Sequence, residues 1–346
     1  MDWFLKPTSV TDKLLVMVVA VVIFVAVMAL ILWAIDRERI PNWVVVAGFL
    51  GPVTIALVGG LMYPAVGTVI RSFQKVQNVV GPDGKRVILS TGKVATEKVL
   101  GFDNYSKIFT DAGFQKVLLN TVEWVILVPV LATGLGLIYA VLVDRTRFEK
   151  AAKALVFLPM AISMVGASII WKFVYDYKQA GSAQTGLLNQ VLVWLGLKPV
   201  LFLQVAGWNT LFLIVVMVWI QAGFAMTVLS AAIKAVPDDI IEAAQLDGAT
   251  GFKLFMRVTV PSIRPSVVVV LTTVSMVSLK AFDVVRTMTG GNFGTSVVAN
   301  EFYTQSFRQG TAGEGIGAAL AVVLFIIIIP VIVYNVRQMR LSEEMR

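Results

Sequence analysis

Along this chain apolar residues come in long unbroken runs separated by polar stretches, not in the alternating or striped patterns that build a soluble core. A helix that crosses the hydrocarbon of a bilayer takes roughly 20 apolar residues. Seven runs have that length: Leu14–Ile35, Val44–Ile70, Val117–Val143, Ala151–Val174, Trp208–Ser230, Ser266–Val285 and Ile316–Val336. The first is longer than the apolar core of a secretory leader and is followed by Asp36-Arg37-Glu38-Arg39, not by small residues. It is therefore expected to stay in the membrane. Pro52, Gly59, Gly60 and Pro64 predict that the second run is a bent helix, with neighbouring helices re-satisfying its backbone.

Three polar stretches separate these runs. In residues 71–116, Val76–Val80 and Arg86–Leu89 flank Gly81-Pro82-Asp83-Gly84, which predicts a strand–turn–strand hairpin. The stretch Tyr175–Gln204, with Gly181, Gly186 and Gly196, falls on the same side of the membrane, and residues 231–264 fall on the other. Lys and Arg are nearly balanced between the two sides because so many lie in 71–116, so the positive-inside rule leaves the orientation open.

Composition agrees with lipid as the main solvent: 346 residues are 58% hydrophobic and only 14% charged. The fold class expected is an all-α polytopic membrane protein of about seven helices. A net charge of +8 suits anionic lipid, and no nucleic-acid motif accompanies it. Cysteine and histidine are both absent. That excludes disulfides, thiolate chemistry, Cys- or His-ligated metals and the usual hydrolase triads. No Walker A segment occurs, since Gly81-Pro82-Asp83-Gly84-Lys85 has the wrong spacing and lacks the following hydroxyl. The chain is expected to be no enzyme on its own.

Residues 231–265, AAIKAVPDDIIEAAQLDGATGFKLFMRVTVPSIRP, predict two short helices with a corner between them. Pro237 closes the preceding span, and Asp238 or Asp239 is placed to cap the next helix. Ile240, Ile241 and Ala244 give that helix an apolar side. Asp247-Gly248 ends it, glycine tolerating the left-handed conformation of a C-cap. A second helix follows from about Thr250 to Val258, before Pro261. A capped, half-apolar pair of this kind suits a cleft on a soluble partner better than open water.

The spacing Glu242-Ala243-Ala244, Asp247-Gly248-Ala249, then Phe255 and Pro261, resembles the EAA loop of ABC-importer permeases. The resemblance extends to permeases of the maltose type, in particular their larger subunit. It is carried by Tyr63-Pro64, Ser72-Phe73, Phe102-Asp103-Asn104-Tyr105, Leu119-Asn120-Thr121, Val218-Trp219 and Thr289-Gly290-Gly291. Residues 157–177, with Ala161-Ile162-Ser163 and Trp171-Lys172-Phe173-Val174-Tyr175-Asp176-Tyr177, are similar to the branch that handles α-glucosides such as trehalose or sucrose.

The resemblance implies a six-helix permease core over residues 41–346, preceded by an extra helix in 1–40 that has no counterpart in the family core. Residues 71–116 are then an outward-facing subdomain and 231–265 a cytoplasmic coupling loop. ATP and magnesium would be held by a separate ATPase dimer, with no cofactor on this chain. A second, related permease and an extracytoplasmic solute-binding protein are the further partners implied, in a bacterial cytoplasmic membrane. Parity would place the N-terminus outside.

A competing class is the ion-coupled secondary transporter, which needs carboxylates inside the spans. Glu123 and Asp283 qualify, and Lys280, three residues from Asp283, is placed to pair with it. An importer for another polar solute, such as a glycerol derivative, is the other alternative.

A sugar path needs hydrogen-bonding groups and aromatic faces. The spans on either side of the coupling loop offer Asn209, Trp219, Gln221, Phe224 and Thr227, then Thr272, Thr273, Ser275 and Ser278. Matched to the larger maltose-type subunit through Val218-Trp219 and the coupling loop, Met217, Gln221, Phe224, Val277, Ser278 and Ala281 take sugar-contacting positions. Several are apolar where that subunit has amides, so the resemblance implies different contacts or a larger share for the partner permease.

Overall fold

Hydrocarbon offers no hydrogen bonds, so a spanning chain must pair its main-chain groups internally, and helices do so within one segment. A computed structural model describes residues 9–35, 41–78, 96–144, 146–179, 181–279, 281–309 and 313–344. Five of its helices are long and apolar enough to cross a membrane, or up to seven if each of two sharply bent pairs is one span.

The chain divides into two compact units, Met1–Gly67 and Thr68–Arg346. The first is helical throughout its described residues apart from Ser9 and Pro41. It holds α1 (Val10–Ile35) and most of α2 (Asn42–Ser72), whose apolar stretches bury nothing within the chain. The irregularity expected in α2 is a five-residue π-helical segment, Val58–Met62, containing Gly59 and Gly60.

In the second unit, β1 (Gln74–Asn78) pairs antiparallel with β2 (Thr96–Leu100), Val76 opposite Lys98. The first strand starts two residues earlier than the sequence suggested, and its partner is Thr96–Leu100; residues 79–95, including Gly81–Gly84 and Arg86–Leu89, lie outside the described residues. Then follow α3 (Asp103–Thr110), α4 (Ala112–Val143), α5 (Glu149–Phe157), α6 (Met164–Val174) and α7 (Leu187–Trp194). α8 (Asn209–Lys234), α9 (Asp238–Leu246), α10 (Gly251–Ser262) and α11 (Arg264–Ser278) come next, and α12 (Phe282–Met288), α13 (Val298–Tyr303) and α14 (Glu314–Glu344) complete the unit.

Two expected spans are broken. Pro159 sits in a 3-10 turn after α5, Ile162 is extended, and Ser163 Oγ accepts from Gly166 N to cap α6, so α5 and α6 meet at 102°. The sixth run is interrupted after Ser278. The hydroxyls of Ser275 and Ser278 donate back to Leu271 O and Ser275 O, competing with the helix ladder. α7 inside Tyr175–Gln204 had no sequence signal strong enough to predict it.

The core surrounds α8. Leu213, Ile214, Val216, Met217, Met226 and Leu229 are fully enclosed, together with Trp124 and Val128 of α4 and Val270 of α11. Glycine makes the closest approaches possible. A Cβ on Gly136 would stand 2.4 Å from Ala225 Cβ and 2.7 Å from Met226 N, and one on Gly223 would stand 2.5 Å from Val156 O. Gly136→Val is therefore expected to destabilise the bundle by about 1–3 kcal/mol, the usual cost of overpacking. A thermal-shift comparison in detergent checks this, and an unchanged melting temperature would contradict the close crossing.

Candidate functional site

The α9–α10 pair is built from its own sequence. Pro237 occupies the N-cap position of α9 without a side-chain cap, so neither Asp238 nor Asp239 caps; both lie in the first turn, where the helix dipole favours acids. The end of α9 is a complete Schellman motif. Gly248 has φ +81, its N–H donates to Gln245 O at 3.0 Å, and Ala249 N donates to Ala244 O at 2.9 Å. Thr250 then begins α10, which runs beyond Val258 and includes Pro261. Its segment Phe255–Thr259 is π-helical, and Pro261 falls in the last turn, where α10 bends by 71° into α11.

The pair is open to its surroundings. α9 buries no residue, while Ile240, Leu246, Phe252 and Met256 are exposed. Only Ala249 and Thr259 of residues 238–262 are buried. Exposed apolar groups on a helix pair closed at its corner by a Schellman motif are compatible with a docking surface.

At the other end of the bundle, distant motifs are brought together. Residues 290–294 turn through left-handed conformations at Gly290, Gly291, Phe293 and Gly294. A Cβ on Gly291 would lie 2.3 Å from Asn300 Nδ2, so only glycine fits there. Phe293, a bulky residue in that region, is strained, and Asn209 Nδ2 holds its carbonyl at 2.7 Å. Asn120 Nδ2 donates to Gly294 O and Ser296 O, and Thr121 Oγ1 accepts from Val298 N. Likewise Asn104 Nδ2 donates to Ser72 O and Gln74 O, and Tyr105 and Ser72 share a hydroxyl bond of 2.7 Å. In Tyr175–Gln204, the Thr185 hydroxyl donates to Asp176. With the charge of nearby Lys178 it holds that carboxyl below the usual range, against a smaller opposing effect of burial.

The positions named for substrate contact differ in their surroundings. Met217, Ser278 and Ala281 are enclosed, and the Ser278 hydroxyl is engaged with Ser275 O. Phe224 and Val277 are half-buried against the core. Trp219 packs edge-on against Trp171, their centroids 5.7 Å apart, and both line an apolar groove of ≈ 480 Å³ with Tyr139 and Val215. Gln221 stands apart: it is 7% exposed, yet its amide has no hydrogen-bond partner among the described residues. Thr227 and Thr272 bond back to Gly223 O and Val268 O, and Asn209 is committed to Phe293. Glu123 and Asp283 are half-buried, while Lys280 lies outside the described residues.

Sequence reasoning missed a group of polar residues where the spans meet α9: Asp144, Glu149, Lys153, Ser230 and Lys234. The only available sign was the Glu149–Lys153 spacing of four, which favours a helical ion pair.

Residues 116–340 match the family of binding-protein-dependent transport system inner membrane components. The chain belongs to that family. It is a multi-pass membrane protein and a transport component, not an enzyme, and its membership of a binding-protein-dependent family removes the case for the ion-coupled alternative. The chain is 42% identical over 289 residues to the alpha-glucoside transport system permease protein AglF of Rhizobium meliloti, covering 84% of this chain and 80% of that one. It is 44% identical over 265 residues to the osmoprotective compounds uptake permease protein GgtC of Synechocystis, covering 77% and 94%. The fold is shared with a chain of a bacterial alginate ABC transporter solved with an alginate pentasaccharide-bound periplasmic protein. That match has a TM-score of 0.66 at 23% identity and covers 85% of this chain and 93% of the other.

Gly248→Pro removes the donor to Gln245 O and cannot adopt positive φ. It is expected to leave the chain inserted in the membrane while hydrogen exchange rises around residues 244–250 and stays unchanged in α8. Unchanged exchange at the corner would refute the role given to the Schellman bonds.

Proposed function

We propose that this permease imports a neutral sugar of the α-glucoside class through a bacterial cytoplasmic membrane. Support comes first from the 42% identity to an alpha-glucoside transport system permease. The side chain of Gln221 adds to it, because an amide with no hydrogen-bond partner among the described residues offers both a donor and an acceptor to a sugar hydroxyl. Phe224, three residues away on α8, lies on the same side of the helix and supplies an aromatic face for a sugar ring, whereas Trp219, two residues away, turns into the apolar groove with Trp171. Met217, Val277, Ser278 and Ala281 complete the proposed path, the enclosed ones being reached only when the helices part.

The rest of the machine lies on other chains. A solute-binding protein delivers the sugar to the face holding 71–116, a second related permease supplies the other half of the path, and an ATPase dimer holds ATP and magnesium. This chain carries no cofactor. Glu242, Ala243, Ala244, Asp247, Gly248, Ala249, Phe255 and Pro261 form the coupling element, whose exposed apolar side chains enter a cleft on the ATPase. Closure of that dimer tilts the α9–α10 pair and switches the bundle between its two openings.

A second reading has its own support. The 44% identity to an uptake permease for osmoprotective compounds favours another polar solute, such as a glycerol derivative, as the cargo. Two experiments bear on these readings. Purification of the tagged chain in mild detergent is expected to bring down an ATPase and a second permease, both lost in Glu242→Lys; isolation of the chain alone would sink the importer assembly. In proteoliposomes of that complex with its binding protein, radiolabelled trehalose, sucrose and glucosylglycerol compete for uptake. Preference for either disaccharide, weakened by Gln221→Leu, is the expected result, whereas preference for glucosylglycerol would transfer the assignment to the second reading.

A further inference from the structure

Four charges and one hydroxyl meet where the spans join the coupling helices. Asp144 is the C-cap residue of α4, Glu149 and Lys153 lie in α5, and Ser230 and Lys234 lie in the last two turns of α8. Lys153 Nζ donates to Asp144 Oδ1 at 2.6 Å and to Glu149 Oε1 at 2.8 Å, and also contacts Ser230 Oγ. Ser230 Oγ donates to Asp144 Oδ1 at 2.7 Å. Lys234 pairs with Glu149 Oε1 and stands 3.7 Å from Asp144 Oδ1. Among the described residues the group is neutral, two acids against two bases, and the Asp144 side chain is only 9% exposed.

Three features make this more than a local brace. First, a carboxylate at the C-terminus of α4 opposes the helix dipole, and its opposite charges come from the lysines of α5 and α8. The ends of three helices are thereby tied to one side chain. Second, Asp144 is used unevenly. Its Oδ1 receives both Lys153 and Ser230, whereas its Oδ2 is buried with no partner among the described residues. With Lys234 close by, the lysine can shift to Oδ2 while every charge keeps an opposite neighbour, so a second arrangement is within reach. Third, the cluster is continuous with the coupling helices. Only Ala235–Pro237 separates Lys234 from α9. A cavity of ≈ 230 Å³ is lined on one side by Asp144 and Lys234 and on the other by Asp238, Ile241, Leu254 and Phe255. It gives the α9–α10 pair room to move against the cluster.

We infer that Asp144, Glu149, Lys153, Ser230 and Lys234 form the joint that passes displacement of the α9–α10 pair to α4 and α5. They are positioning residues for transport, and the inference rests on the importer reading above. Without the joint, ATPase closure would still move α9 and α10, but α4 and α5 would not follow, and hydrolysis would continue without transport.

The test uses the complete complex in proteoliposomes with its binding protein. It measures radiolabelled trehalose, or whichever sugar of the panel the wild type imports, per ATP hydrolysed. Asp144→Asn is expected to lower that ratio about tenfold while hydrolysis stays within about twofold of wild type. The exchange Asp144→Lys with Lys153→Asp restores opposite charges and is expected to recover at least half of the ratio. Ser230→Ala, a small change at a buried position, is expected to lower the ratio about threefold and decides the matter if Asp144→Asn does not assemble. A ratio at the wild-type level in Asp144→Asn and Ser230→Ala, including a parallel loss of uptake and hydrolysis, would overturn the joint and leave the importer reading intact. Absence of ATP-driven uptake by the wild-type complex would overturn both.

Discussion

The structure depends on how closely α4 and α8 can approach. Between helices in lipid there is little hydrophobic gain from association, because a lipid chain is as apolar as leucine. Dispersion contacts between well-fitted surfaces must supply the attraction, and these fall away with small gaps. Gly136 opposite Ala225 and Gly223 opposite Val156 permit backbone-to-backbone contact on two sides of α8. α8 thereby becomes the most enclosed span, and α11 and α5 are placed around it. The proposed sugar positions on α8 and α11 and the helix end carrying Ser230 and Lys234 all take their places from that crossing.

Around this apolar centre, polar contacts act mainly at the two ends of the bundle. At one end, Asn104, Asn120 and Asn209 each hold main-chain carbonyls of another segment with neutral amide bonds. At the other, charges do the holding. The difference has a physical sense. Amide bonds to carbonyls are directional and hold a loop in one shape, whereas four charges that are neutral among the described residues can exchange partners without exposing an unpaired ion. A rigid end for receiving cargo and a yielding end for receiving force fit the importer reading.

Much of this was legible in the residues. Runs of about 20 apolar residues revealed the spans, because hydrocarbon thickness sets their length. The corner at Asp247-Gly248 was legible too, since a helix C-cap is a local motif and Gly248 meets its backbone requirement alone. Where the reading slipped, the cause was local geometry or a partner distant in sequence. Proline and serine back-bonding divided two runs that hydropathy alone joins. The strand partner of β1 begins only at Thr96, well past its end at Asn78 and beyond the reach of a turn signal.

The sequence by itself determined what depends on composition and short spacing: the solvent, the spans, the capped helix pair and the absence of thiol or imidazole chemistry. Only the tertiary structure decided which polar residues meet. Asn120 reaches Ser296 across 176 positions and Asp144 reaches Ser230 across 86, and no periodicity encodes such pairs. The same packing leaves Gln221 without a partner among the described residues while Ser278 and Thr227 bond to their own helices, a distinction that hydropathy along the sequence does not carry. The reason is that a side chain's partner is set by which helix faces come within about 3 Å of each other. That depends on every contact in the bundle at once.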